Sequence, residues 1–461
     1  MNLIFNVQDK PKFNQLLVFA LQQMLAIMAA TIAVPMIVGN GLTPAAAMFG
    51  AGVGSLVYYF ITNKKSPVFL GSSFAFINSM FAAFAGGVSM ALGWFGLILG
   101  AVFAGLVYVI IALIVKFVGV EWLNKLMPAV VIGPTVAIIG LSLAGNAVGD
   151  LVKGDVLVDG APVASTYLAM LCGLVTLTVT MLCSTFGKKM VRLIPFIIGI
   201  LAGYLTAAIF TAIGTAADID ALKIIDFSVF ETYMFADGFS LKTFFSIPDF
   251  TFTKAFSEGI HELNWSYVAT IFVAYVPVAF VVFAEHVADH KNLSSIIGKD
   301  LLKDPGLEKT LLGDGIGSIA GAIFGGCPNT TYGESVGCVA ITGNASSITI
   351  FTAAIGCILV SFITPLVAFV DSIPSCVMGG VCIALYGFIA VSGLKMLQKV
   401  DLNENRNLFV ASVILIAGIG GLQVTFGAVT LTSIAAALIL GIFTNVILGG
   451  RKAQKEEEKE L

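Results

Sequence analysis

CPNTTYGESVG, Cys327 to Gly337, lies between two apolar runs and carries Pro, Asn, two Thr, Tyr, two Gly and a Glu. Thr and Tyr suit a short extended segment, while Pro328 and Gly333 disfavour a continuous helix. Extended backbone at membrane depth leaves N–H and C=O groups that lipid cannot satisfy. Such a break must be enclosed by protein or line a cavity. Glu334 sharpens the reading, because an ionisable group inside a span costs a few kcal/mol or more and is kept mainly where it works. The stretch is the expected centre of a binding site.

Outward from it, the chain of 461 residues is 58% hydrophobic and 11% charged, with a mean hydropathy of +0.99. That composition excludes a soluble globule and makes a polytopic membrane protein in contact with the bilayer. The 49 Gly fit the same class, since Gly lets spanning helices approach closely. A formal charge of −3 carried by loops and tails points to no nucleic-acid partner. The seven Cys (172, 183, 327, 338, 357, 376, 382) have no metal-ligand spacing and read as reduced packing residues, disulfides being the lesser alternative. The first long apolar run leads directly into further spans, so no cleavable signal peptide is expected.

Apolar segments long enough to span run near 14–38, 45–62, 68–86, 92–117, 123–149, 164–184, 192–213, 265–290, 310–326, 332–348, 349–371, 375–396, 407–425 and 428–449. The charges test these fourteen. With both termini cytoplasmic, twenty of the 24 Lys and Arg fall on one face, including Lys64, Lys65, Lys125, Lys188, Lys189 and the tail from Arg451. Only Lys153, Lys223, Lys242 and Lys254 fall on the other. The connection 214–264 is then external; it is acidic and aromatic, with Asp218, Asp220, Asp226, Glu231, Asp237 and Asp249, and its sequence assigns it no function. The tail 450–461 reads as a solvated, frayed end.

An internal repeat follows from the same count. The third span opens VFLGSSFAFINS, where Gly71, Ser72 and Ser73 interrupt an apolar run as CPNTTYGES interrupts the tenth, seven spans later. The fifth begins MPAVVIGPTVAIIG and the twelfth IPSCVMGGVCIALYG, again seven apart. Seven is odd, so the second copy enters the membrane from the opposite side. The chain is expected to hold repeats at 14–213 and 265–449, the inverted plan of secondary transporters, whose broken elements meet near the midplane.

Glu285 and Asp289, four apart in the eighth span, share one helix face, with Pro277 two turns earlier as an expected kink. Burial raises the proton affinity of a carboxyl group, which is what proton coupling needs. The bland alternative makes Glu285 a packing residue and Asp289 a partner of Lys291 at a wet helix end. A helix starting at Trp265 would put Glu285 past the midplane, so this helix is expected to continue towards Gly298 or to be displaced inward. His286 and His290 have a spacing that can bind zinc, but HVADH lacks the Glu of HExxH and a third ligand; surface or interfacial histidines are the better reading, with no metal and no cofactor. Asp314 and Asp371 lie near span ends and are expected to meet water or backbone donors. The Gly run 313–326 lacks the GKS/T ending of a phosphate loop and reads as close helix packing.

Longer stretches resemble a known family. ATIAVP at 30–35, LGSSFAF at 70–76, AEHVADH at 284–290, KDLLKDPGL at 299–307 and PNTTYGESVGCVAITG at 328–343 are similar to the nucleobase–ascorbate transporter family, the nucleobase:cation symporters of the second type, and within it to the bacterial uracil-permease branch. The family signature matches at Glu334, Gly337, Thr342 and Gly343. The resemblance implies an all-α membrane protein of fourteen helices in two inverted sevens, with a core domain of spans 1–4 and 8–11, a gate domain of spans 5–7 and 12–14, and short strands in spans 3 and 10. It implies a base held by Glu285 and Glu334 and by backbone groups at Phe74, Tyr332 and Gly333.

Three departures stand out. A first-span Gln-His pair is Gln22-Gln23 here, the signature Asn is Ser335, and a histidine one turn after the eighth-span Glu is Asp289. The expectation is an uncatalytic uracil:proton symporter of a bacterial inner membrane, working by alternating access, with Glu285 and Asp289 in proton coupling and a homodimer as one admissible assembly. A xanthine or purine permease is the alternative within the family. An intramembrane metal-dependent hydrolase is the rival from another class, and HVADH alone is too little for it.

Overall fold

The computed structural model describes residues 3–119, 127–158, 161–188, 190–236, 238–426 and 429–460, with side chains from 426 to 430 and from 450 onward left undescribed. Lys125, Lys189, Asp237 and the side chains of the basic tail lie outside the described set.

Helix starts and stops follow local chemistry. Helix α1 (Phe13–Val38) ends at Gly39, and α2 (Pro44–Ile61) begins with Pro at its first position and Thr43 accepting the Ala46 N–H. A short strand β1 (Leu70–Ser72) leads through one turn at Phe74–Phe76 into α3 (Ile77–Ala83). Helix α4 (Met90–Val118) is capped by the Ser89 hydroxyl. There follow α5 (Ala129–Ser142), α6 (Ala144–Leu151), α7 (Thr166–Phe186) and α8 (Pro195–Ala217).

Helix α9 (Trp265–Ile297) starts at an Asn264 cap and stops at Gly298, whose φ of 68° suits a residue without Cβ. It therefore continues past the wet end read at residue 290. Pro277 is accommodated inside it. Helix α10 (Leu307–Gly325) precedes strand β2 (Asn329–Thr331) and α11 (Gly333–Thr342), so the break quoted first is a strand followed directly by a helix start. The chain continues with α12 (Ser347–Val360), α13 (Thr364–Asp371), α14 (Ser375–Leu397), α15 (Asn405–Ile419) and α16 (Ser433–Glu460). Among the described residues, eight stretches are long and apolar enough to cross a membrane: α1, α2, α4, α5 with α6, α7, α8, α9 and α14.

Helix packing sorts these elements into two groups. In the first, α2 lies against α10 and α12, α1 against α12, and α4 against α9 and α10. In the second, α14 lies against α5 and α7, α5 against α15, α7 against α8, and α15 against α16. Backbone contact in the first group depends on glycine: a Cβ on Gly50 would sit 2.4 Å from the Gly321 carbonyl oxygen.

The two breaks solve their hydrogen-bonding problem together. Strand β1 pairs antiparallel with β2, Leu70 opposite Thr331 and Ser72 opposite Asn329. The ladder is extended by Ser73 N–H to the Pro328 carbonyl (2.9 Å) and Tyr332 N–H to the Phe69 carbonyl (3.2 Å). On the far edge of β1, Ser55 Oγ accepts from Leu70 N–H and donates to the Leu70 carbonyl. Protein thus supplies what lipid cannot. The connection 214–264 is fastened to the helices it meets: Ile224 N–H donates to Thr211, Tyr233 Oη to Asp371, and Thr251 Oγ1 reaches the last carbonyls of α10.

Candidate functional site

Strand β2 and helix α11 set the site's geometry. Because α11 begins at Gly333, Glu334 stands in its first turn, where backbone N–H groups have no partner inside the helix and point outward. Helix α9 brings Glu285 and Asp289 to the same place on one of its faces. A cavity of about 360 Å³ lies between the two helix groups. Its wall from the first group contains all six residues singled out in the sequence: Phe74, Glu285, Asp289, Tyr332, Gly333 and Glu334. The second group closes it with apolar surface, Val136 and Ile139 from α5, Phe196 from α8, and Leu385 and Phe388 from α14.

Hydrogen bonds fix the frame and leave the glutamates available. Thr331 Oγ1 donates to Asp289 Oδ2 at 3.1 Å, tying α9 to β2, and Asp289 thus has a partner other than Lys291. Tyr332 Oη donates to the Ser72 carbonyl at 2.7 Å. Among the described residues, neither the Glu285 nor the Glu334 carboxylate bonds another side chain, and both line the cavity. Three carboxyl groups, helix-start N–H groups and an aromatic wall can together hold a small planar solute that offers both N–H and C=O groups.

Two of the sequence departures meet. Gln23 hydrogen-bonds the Ser335 hydroxyl, which also accepts the Phe69 N–H at 2.9 Å. The residues beside the third-span and tenth-span breaks are therefore braced through a first-span amide. Sequence singled out both positions without linking them, because no periodicity connects residues 312 apart.

The histidines correct the sequence reading. His286 and His290 are each 1% exposed and belong to no surface or interface with water. They occupy the face of α9 turned away from the cavity, against α2 and α10. His286 Nδ1 lies 2.7 Å from Asp314 Oδ2, and Thr310 Oγ1 lies 3.0 Å from its Nε2. His290 Nδ1–H donates to the His286 carbonyl (2.8 Å), which leaves Nε2 facing Tyr58 Oη at 2.6 Å. Asp314 is likewise fully buried, where it meets the His286 ring and a backbone hydrogen bond from Thr331, the backbone partner being one the sequence reading expected. Asp371 meets the Tyr233 hydroxyl. Periodicity told which residues share a face, and could not tell which face a neighbouring helix would cover. Among the described residues, no group of three His, Cys, Asp or Glu side chains is placed to hold a metal ion, and all seven thiols are free.

A family model described as "Permease family" matches residues 14–427. The chain belongs to the permease family. This permease-family chain is 38% identical over 457 residues to the uracil permease of Bacillus caldolyticus, covering 98% of this chain and 96% of that protein. It is 37% identical to the uracil permeases of Bacillus subtilis (strain 168), with 98% and 97% covered, and of Escherichia coli (strain K12), with 99% and 96% covered. Among solved structures, the transmembrane domain of a cyanobacterium bicarbonate transporter, BicA, superposes with a TM-score of 0.61 at 14% identity over 96% of this chain and 100% of that one. The murine anion transporter Slc26a9, in an inward-facing state, gives 0.63 at 12% identity, with 96% and 69% covered. The protein is a multi-pass membrane transporter, and its fold is shared with these anion carriers.

Proposed function

We propose that this permease imports uracil together with a proton, by alternating access across a bacterial inner membrane. One observation carries the reading: two glutamates with no side-chain partner among the described residues face one cavity beside the first turn of α11. Uracil's ring edge alternates N–H and C=O, so its donors suit carboxylates and its carbonyls suit backbone N–H groups at Phe74 and Gly333, the Tyr332 N–H being taken by the Phe69 carbonyl. Relatives named uracil permeases support this substrate over a xanthine or purine.

Glu334 anchors the base, and Glu285 binds it and gates the proton. Asp289, one turn on and held by Thr331, is the relay. Fourteen segments with both termini cytoplasmic form the frame, the first packing group being the core and the second the gate. Exchanging each segment with the one seven further along carries the packing onto itself: α1 on α12 becomes α9 on α4, and α7 on α8 becomes α15 on α16. That exchange supports an inverted repeat.

Equilibrium binding of uracil to the purified chain tests the anchor. Glu334→Gln exchanges a charge-assisted hydrogen bond for a neutral one, a loss of roughly 1.5–3 kcal/mol, so affinity should fall by about 10- to 100-fold. Unchanged affinity would remove Glu334 from the site.

A further inference from the structure

A second, larger cavity of about 650 Å³ opens against the N-terminal ends of α9 and α16. The first cavity runs the other way, towards Ser392 and Met396 near the C-terminal end of α14. The two are separated along a single segment: Ser73, Phe74 and Ala75 face the first, Asn78 and Phe81 the second. At the partition, Asn78 Nδ2 donates to Ser142 Oγ at 3.2 Å, joining α3 to α5 across the two helix groups. Deeper in, the Phe74 ring meets Tyr386 of α14 edge-on at 5.9 Å.

The chemistry of the two cavities differs. Where the first has three carboxyl groups, the described lining of the second contains no Asp, Glu, Lys or Arg. Its polar groups are neutral: the amides of Asn78, Asn264 and Gln423 and the hydroxyls of Ser266, Thr432 and Ser433. The Gln423 amide presents a donor and an acceptor side by side, the complement of a ring edge that alternates N–H and C=O, while Asn78 Nδ2 is engaged by Ser142 and Asn264 Oδ1 by the Tyr267 N–H. The volume falls within the roughly 300–1,000 Å³ of small-molecule sites. Neutral hydrogen bonds are weaker than charge-assisted ones, so a solute held here is free to move on.

We propose that this cavity is an arrival site for a neutral cyclic imide or amide, the same ligand class as the carboxylate site, which it reaches when sliding of the two helix groups parts the Asn78–Ser142 contact. The proposal rests on the transport reading for its ligand class, yet it can fail separately.

Ala85 is exposed at the cavity wall, has no polar side chain to lose, and carries a reporter. Ala85→Cys is reconstituted and labelled with a membrane-impermeant maleimide, alone and combined with Glu334→Gln, with the parent chain as control for native thiols. Ser266→Cys, at the start of α9, is a second reporter should the first fail to fold. Uracil is expected to slow labelling severalfold in both backgrounds, because the neutral cavity does not need Glu334. Slowing that vanishes with Glu334→Gln, or no slowing in that background at millimolar uracil, would overturn the arrival site. A parent chain that takes up no uracil would overturn the transport reading instead, while slowing in the Glu334→Gln reporters would still uphold the cavity as a site.

Discussion

Ser335 joins three spans at one oxygen. It accepts the buried Phe69 N–H and contacts Gln23, immediately beside Glu334. Ser335→Ala would leave that N–H unpaired, at a cost of about 1–3 kcal/mol. Thermal unfolding in detergent should show a lower Tm, and an unchanged Tm would mean the brace is idle. Asp289 acts differently, because its carboxyl faces the cavity while Thr331 holds it. Asp289→Asn keeps an acceptor for Thr331 and removes the exchangeable proton. Uracil binding at fixed pH should persist, and the pH dependence of uptake should flatten; full pH dependence would take Asp289 out of the relay. At this scale Glu285 and Glu334 were legible because a charge inside an apolar run is conspicuous. Thr331 was not, since a hydroxyl beside a break could serve strand, helix cap or carboxylate equally well.

Among the elements, breaks were readable and their pairing was not. Gly71 to Ser73 and the 327–337 stretch announce interrupted spans, but the register of β1 on β2 comes from residues 257 to 261 apart meeting in space. The helix at Trp265 runs on to Ile297 until Gly298 stops it, one of the two courses expected of it, whereas the segment read as 349–371 is two helices, α12 and α13, the second opening with Pro in its first turn. A cap outside the spans supplies a pH test. Asp155, in the connection between α6 and α7, accepts the Ser375 N–H (3.0 Å) and Oγ–H (2.6 Å) at the start of α14. Burial pushes its carboxyl above the ordinary carboxylate range, against the two Ser375 bonds that pull it down. A folded pKa above the unfolded one means the folded state takes up the proton first as pH falls, and gains stability over that window. The Tm difference, wild type minus Asp155→Asn, should therefore rise as pH drops from neutral towards the usual carboxylate range. A difference that falls would reverse the assignment.

The whole molecule is two helix groups meeting at cavities that open in opposite directions. Composition and the Lys and Arg asymmetry made a polytopic membrane protein legible, and similarity to permeases across 14–427 agrees. Which helices form which group was not contained in periodicity, because it depends on Gly50 against Gly321 and similar close approaches between distant spans. Symport requires that the carboxylate cavity and the two groups work as one device. Uptake of radiolabelled uracil into proteoliposomes, with and without an inward proton gradient and with unlabelled xanthine, adenine, thymine and cytosine as competitors, tests that directly. Accumulation that needs the gradient and is not blocked by xanthine or adenine is the predicted result. No accumulation, or accumulation blocked by xanthine, would contradict uracil:proton symport.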